Sequence, residues 1–366
     1  QAFDSCTSLK EVELHDGLQM IGNSAFGNCT SLHRIKVPPS VTAINYFAFQ
    51  NCTSLKEVNL AEGLQTIGDR AFRNCTSLLR INIPSTVNRL ELNTFSDFTL
   101  LRNVAIAPSS ALTQDMFAQS FRSLQNMGFS LEMIIGRFKE LPLHEHCYYY
   151  RPQHRAEQTM DCTTPKWFNE EVSRLPAHGL QQDCFGMTPL HVLLCSSAGC
   201  DVRVCQYVIE KYPGAMLIED KWGEIPLVYA LLGEAPIEVI HFLLESHMQR
   251  WQAMPFDFGG MILRLATKRG TSADYVRDVI RAQRTHHRAL EIDWQRIVDE
   301  SIRAGRDIPF RMFSVLVEAS VSMRSICMNE EHRIGVDARL REIEENGDSD
   351  DDDEEEEDGG NVYEVV

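Results

Sequence analysis

Residues 25–32 read Ala-Phe-Gly-Asn-Cys-Thr-Ser-Leu, residues 48–55 Ala-Phe-Gln-Asn-Cys-Thr-Ser-Leu, and residues 71–78 Ala-Phe-Arg-Asn-Cys-Thr-Ser-Leu, a step of 23 residues. A truncated copy opens the chain at Ala2-Phe3 and a worn one follows at Thr94-Phe95. Alignment by this period gives columns: Phe3, Phe26, Phe49, Phe72, Phe95; then Cys6, Cys29, Cys52, Cys75, Phe98; then Leu9, Leu32, Leu55, Leu78, Leu101. A repeat this short cannot bury its apolar side alone, so stacking must turn each column into an interior ladder. Burying one Phe is worth roughly 1.5–3 kcal/mol, which makes the five-Phe column a major stabilising term.

Within each copy, Val12-x-Leu14 and its equivalents alternate with the period of a strand. Pro38-Pro39 and Pro84 end that strand, because proline offers no N–H to a ladder. Pairs such as Leu64 and Ile67 fit a second short extended piece. Gly22 and Gly68 mark turns, and the segment before each Ala-Phe reads as a short helical turn. The block from Ile44 to Pro84 carries a resemblance to the BspA-like leucine-rich repeats, which covers about residues 1–109. The resemblance implies a parallel β-solenoid and a surface or interaction role.

Outward strand positions are polar. Glu11, Arg34, Glu57 and Arg80 follow one another in one column, so opposite charges alternate at the ~4.8 Å spacing of neighbouring strands. This predicts a self-paired stripe that fixes coil register. Beside it lie Lys10, His33, Lys56 and Arg102, and Glu13, Lys36, Asn59 and Asn82. These eight residues form the candidate interaction face, weighed against a plain solvated sheet face that lacks the exposed aromatics favoured at interfaces.

Asn28-Cys29-Thr30, Asn51-Cys52-Thr53 and Asn74-Cys75-Thr76 match the glycosylation acceptor pattern. Hydrogen bonding of Asn and Thr to the neighbouring coil is the stronger reading of a repeated turn column. The cysteines in that column read as small buried hydrophobes. The total of 11 is odd and shows no paired framework, which favours reduced thiols and an intracellular setting. Gln1 aligns with Ser24 in mid-repeat, so the solenoid reads as continuing N-terminally; a lost signal sequence keeps a cell-surface setting open.

Residues 110–179 read as a cap and connector. Met116-Phe117 fits a last degenerate copy, and 121–138 has apolar residues at helical spacing. His144, His146 and Cys147, with His154 and Cys162 beyond, are the cluster most like a metal site. Their spacing lacks a paired-ligand signature, so no metal or cofactor is expected. Tyr148, Tyr149 and Tyr150 read as packing at a junction.

A second repeat, of 37 residues, runs through 180–320. Asp183, Asp220 and Asp257 keep this step, as do Gly186, Gly223 and Gly260. Thr188-Pro189-Leu190-His191 and Ile225-Pro226-Leu227 begin helices at a preorganised proline, and second helices follow at 202–211 and 236–246. Asp201 and Ser272 are N-cap candidates. The stretch resembles ankyrin repeats, whose signature is Thr-Pro-Leu-His-x-Ala, although Leu193 stands where Ala is expected and the third copy has lost the pattern. The resemblance gives Thr188 and His191 hydrogen-bonding rather than catalytic roles. Helices at 294–304 and 310–320 close the array. The pairing of both modules is similar to predicted diatom proteins.

The net charge of −17 belongs to the tail. Residues 344–358 hold twelve acidic residues and no basic one, and without them the balance is −5. Such a block cannot bury a core and is expected to be disordered, with basic proteins as its natural contacts. No basic patch points to nucleic acid, and no apolar run reaches the ~18 residues of a membrane span. The expected fold is therefore α+β and multidomain: a leucine-rich β-solenoid over 1–109, a connector over 110–179, an ankyrin-like α-helical solenoid over 180–320, and an extension over 321–366. The expected function is a non-enzymatic scaffold that binds other proteins, with extracellular adhesion or recognition as the alternative.

Overall fold

The computed structural model describes residues 2–97, 100–149, 178–195, 201–250, 256–286, 292–304, 308–322 and 362–365. The acidic tail, Phe98, Tyr150, His154 and Cys162 lie outside them. The described chain forms two compact units, residues 1–235 with 360–366, and residues 236–359.

The first unit begins with a parallel β-solenoid. Its longer strands are β1 (Glu11–Leu14), β3 (Arg34–Val37), β5 (Glu57–Leu60), β7 (Arg80–Ile83) and β9 (Asn103–Ile106). Two-residue strands β2 (Met20–Ile21), β4 (Ala43–Ile44), β6 (Thr66–Ile67) and β8 (Arg89–Leu90) alternate with them and build a second parallel ladder. Register follows the repeat: Glu11 pairs with Arg34 and Arg34 with Glu57. The first ladder runs β1–β3–β5, with β7–β9 as a separate pair beside it. Strand β3 stops before Pro38 and β7 before Pro84, as expected of residues without a donor. Strand β10 (Val362–Val365) pairs in parallel along the other edge of β1, Glu11 opposite Val362 and Leu14 opposite Val365.

The Phe column is a continuous stack. Phe3, Phe26, Phe49, Phe72 and Phe95 lie 5.1–5.6 Å apart between successive ring centroids, with interplanar angles of 3–7°. Each thiol of Cys29, Cys52 and Cys75 donates to a Phe carbonyl one coil back, at 3.0–3.2 Å.

The segment before Ala-Phe is not the helical turn expected from sequence. It is a chain of tight turns whose N–H groups point along the solenoid: Phe26 N donates to Ala48 O and Phe49 N to Ala71 O, 2.8 and 2.7 Å. Left-handed residues recur in it. Ser24, Phe47, Arg70 and Asn93 form one such column, and Asn28, Asn51 and Asn74 lie in another. No right-handed helix passes through these alternations. Asn is a natural occupant of the left-handed region, and its side chains extend the ladder. Asn51 Nδ2 donates to Asn28 Oδ1 at 2.8 Å, and Asn74 Nδ2 to Asn51 Oδ1 at 3.1 Å. Gly68 permits close coil approach, since an added Cβ would lie 2.8 Å from the Asn45 carbonyl carbon.

Four helices follow: α1 (Gln114–Ser120), α2 (Arg122–Asn126), α3 (Leu131–Ile135) and α4 (Pro142–Tyr149). Phe121 continues the Phe stack 4.6 Å beyond Phe95, and Phe117 lies 5.3 Å from Phe121, so these helices cap the solenoid core with its own chemistry.

The 37-residue step then appears as two equivalent loops. Asp183 Oδ1 accepts from Phe185 N and Met187 N at 2.8 and 3.0 Å; Asp220 Oδ1 accepts from Trp222 N and Glu224 N at the same distances. Gly186 and Gly223 take φ of 76° and 74°. Helices α5 (Pro189–Leu194), α6 (Val202–Lys211) and α7 (Pro226–Leu232) follow. Asp201 caps α6 through Arg203 N.

The second unit holds α8 (Ile237–Arg250), α9 (Phe258–Thr267), α10 (Ala273–His286), α11 (Trp294–Ala304) and α12 (Phe310–Ser322). Helix α10 packs on α8, α9 and α12, and α11 on α9 and α12. Asp257, third in its column, has changed role: it caps α9 through Gly260 N at 2.9 Å instead of closing a loop. Ser272 accepts from Tyr275 N at the start of α10. No helix among the described residues is long and apolar enough to cross a membrane.

Candidate interaction surface

The outer face of the long strands is not uniform. In β1 and β3 exposed and buried residues alternate strictly, with Glu11, Glu13, Arg34 and Lys36 outward. In β5 only Asn59 remains exposed, and β9 is buried at all four positions. The face closes progressively because the helical part of the same unit packs across its later rungs.

Tyr148 of α4 and Arg137 of the approach to it contribute to this cover. Tyr148 Oη donates to Ile81 O at 2.8 Å, and Arg80 Nη2 returns a bond to Tyr148 O at 2.8 Å. The Arg80 guanidinium also sits 4.3 Å above the Tyr148 ring, a favourable cation–π geometry. Arg80 is thus buried and turned towards Tyr148, where the sequence predicts an exposed pairing with Glu57 in a self-paired stripe. The stripe survives at its exposed end, where Arg34 and Glu11 approach to 3.6 Å. Arg137 reaches Asn103 Oδ1 at 2.5 Å and Val104 O at 2.9 Å, and its Nη2 meets Asp183 Oδ2 at 2.6 Å.

The eight candidate residues divide accordingly. Lys10, Glu13, Lys36 and Asn59 are exposed and His33 is half-buried. Lys56 is held by Glu234 at 2.6 Å, with both side chains mostly covered. Arg102 lies 3.6 Å from Glu224 and 5.2 Å from the Trp222 ring centroid, and Asn82 Oδ1 accepts from Tyr149 Oη at 3.3 Å. Lys56, Asn82 and Arg102 therefore engage other parts of their own unit, while the rest line the open end. Burial, with the Lys56 charge beside it, holds His33 below its ordinary pKa. The open end is a groove of about 560 Å³ whose walls include Glu11, Glu13, Arg34, Lys36 and Asn59. One signal of the closed end stood in the sequence: β9 reads Asn-Val-Ala-Ile, without the charges of the earlier strands. Tyr149, Glu224 and Glu234 carried no comparable periodic signal.

His144 Nε2 binds Met187 O at 2.9 Å, His146 Nδ1 lies 2.6 Å from Pro142 O, and Cys147 is buried. Burial pushes the Cys147 thiol up and holds His144 down at about 4. Among the described residues no three His, Cys, Asp or Glu groups converge to hold a metal. Burial likewise raises Cys29 and Cys184 to about 11 and Cys195 to about 12, the opposite of an activated nucleophile. His191 is structural. Its Nδ1 receives Thr188 N–H at 3.1 Å and its Nε2 lies 3.0 Å from Glu224 O, tying one loop to the next.

Residues 1–125 match the model of the BspA type leucine rich repeat region, in six copies. Similar solved structures include a leucine-rich repeat protein from Bacteroides ovatus, 30% identical over 29% of this chain and 27% of that one, with a TM-score of 0.28. A T. pallidum leucine rich repeat protein is 25% identical over 35% of this chain and 74% of its own, TM-score 0.28. A leucine rich cell surface protein from Faecalibacterium prausnitzii is 29% identical over 30% and 35%, TM-score 0.25. This chain thus spans about a quarter of the first relative's length. No curated protein matches the chain. Residues 1–125 are thus similar to the BspA type leucine rich repeat region, and the strands within them, from Glu11 to Ile106, form a parallel β-solenoid.

Proposed function

We propose that this protein is a non-enzymatic interaction scaffold whose docking site is the open end of the solenoid face, on β1, β3 and the start of β5. The observation that supports this is the asymmetry of the face. Lys56, Asn82 and Arg102 engage the chain's own helical segment, whereas Glu13 and Lys36 are exposed on the walls of a groove and Lys10 is exposed beside them. Solenoids offer extended surfaces of this kind to partners. The helical loops built on Asp183 and Asp220 act as ankyrin-like repeats that brace the closed end. The test compares partner capture by the full chain with capture by Glu13→Lys and Lys36→Glu variants, with Thr86→Glu, off this face, as control. Loss with the first two alone supports the site; unchanged capture with all three removes it.

A further inference from the structure

We infer that one partner of this face is a second copy of the same chain. This rests on the reading of the face as a docking site. The open end is charge-polar from side to side: β1 shows two acids, Glu11 and Glu13, and the adjacent β3 shows two bases, Arg34 and Lys36. Register places Glu11 level with Arg34 and Glu13 level with Lys36. A two-fold axis between β1 and β3, parallel to the strands and lying between the facing sheets, lays β1 of each copy over β3 of the other. Levels along the strands are unchanged by that rotation. Glu11 then faces Arg34, and Glu13 faces Lys36, twice over. Packed sheets stand ~10 Å apart, a gap that Glu and Lys or Arg side chains span together. A closed two-fold of this kind is self-complementary by construction.

The helical cover also fits. It lies over β7 and β9 and reaches Lys56 beside β5, so in the rotated copy it falls over and beyond β10, outside β1 and β3, the strands that face each other. The footprint is small. Two strands of four residues span roughly 10 by 13 Å, far below the ~800 Å² per partner of a standard stable interface. The association is therefore weak, and depends on salt because its contacts are charged and exposed.

The experiment is sedimentation equilibrium on the full chain at high micromolar concentration, in low and high salt. Wild type is expected to dimerise in low salt and dissociate in high salt. Glu13→Lys and Lys36→Glu, both at exposed positions, should each weaken association on the order of tenfold, because each homodimer then sets two like-charge pairs face to face. Mixing the two variants should restore a heterodimer. The lysine introduced by Glu13→Lys in one copy meets the glutamate introduced by Lys36→Glu in the other, and the unchanged Lys36 and Glu13 meet as before. No contact within one chain produces that rescue. Thermal melts check that the variants keep the parent's fold. A wild type that stays monomeric in low salt, or variants that fail to associate on mixing, would overturn self-association. Neither result touches the docking reading itself, which stands or falls on capture of a different protein by the same variants.

Discussion

Arg137 and Asp183 form an ion pair with neither side chain exposed, Nε to Oδ2 at 2.7 Å and Nη2 to Oδ2 at 2.6 Å. Arg137 comes from the segment after α3 and also holds Asn103 and Val104 of β9. Asp183 closes the first helical loop through Phe185 N and Met187 N. One buried contact thus fastens the last strand of the solenoid to the helical repeats of the same unit. Removing one partner leaves the other buried and uncompensated. Arg137→Met or Asp183→Ala should cost about 3–5 kcal/mol. The double variant Arg137→Met/Asp183→Asn, which removes both charges but keeps an Oδ1 acceptor for Phe185 N and Met187 N, should recover a substantial part of that loss. Urea denaturation checks both; equal costs for single and double variants would refute the coupling.

Stability should fall in acid through His144. This residue is buried beside Arg137, and burial holds its pKa near 4 against an ordinary 6.5. An unfolded His takes up its proton near 6.5, a folded one only near 4. Protons in that window therefore favour the unfolded state. The contribution is intact above pH 6.5 and is lost as pH falls towards 4, by an amount on the order of 3 kcal/mol. His144→Gln should flatten this part of the stability–pH curve measured by denaturant titration.

The asparagine ladder separates backbone from side-chain effects at one site. Asn51 sits at φ 61°, donates to Asn28 and accepts from Asn74. Asn51→Gly loses only the hydrogen bonds, about 1 kcal/mol each. Asn51→Ala adds left-handed strain of roughly 1–2 kcal/mol and should melt lower than the glycine variant. Conversely, Phe47 holds φ 59° in a column occupied elsewhere by Ser24 and Asn93. Phe47→Asn should therefore leave stability unchanged or raise it, as read by thermal unfolding.

Much of this was legible in the sequence because it is periodic. The columns of Phe26, Cys29 and Leu32 form ladders, and the 37-residue step of Asp183 and Asp220 forms two loops with the same hydrogen bonds. His191, in the Thr-Pro-Leu-His stretch, ties one loop to the next. What the period concealed is where equivalence ends. A 23-residue repeat treats Lys10, Lys56 and Arg102 alike, yet Lys56 and Arg102 meet Glu234 and Glu224, which belong to the other repeat. Arg80 was read by its column, but its environment is set by Tyr148, a residue outside any column. The turn before Ala-Phe looked helical because left-handed residues such as Ser24 and Phe47 have no compositional mark. Asn28, Asn51 and Asn74 were the available hint, since Asn favours that conformation.

Strand β10 offers a further check on the solenoid edge. Its pairing along β1 covers backbone groups that an edge strand otherwise presents to solvent. A chain lacking residues 360–366 should exchange its β1 amide hydrogens faster than the full chain, with β5 unaffected. Equal exchange in β1 would mean that β10 does not protect it.

The division of the face into an open and a closed end is most directly tested by lysine footprinting of the full chain. Under limiting acylation in native buffer, Lys10 and Lys36 should react at least about ten times faster than Lys56, whose ammonium is covered and paired with Glu234. Glu234→Ala should raise the Lys56 rate towards theirs. Equal rates for Lys10, Lys36 and Lys56 in the native chain would contradict the account.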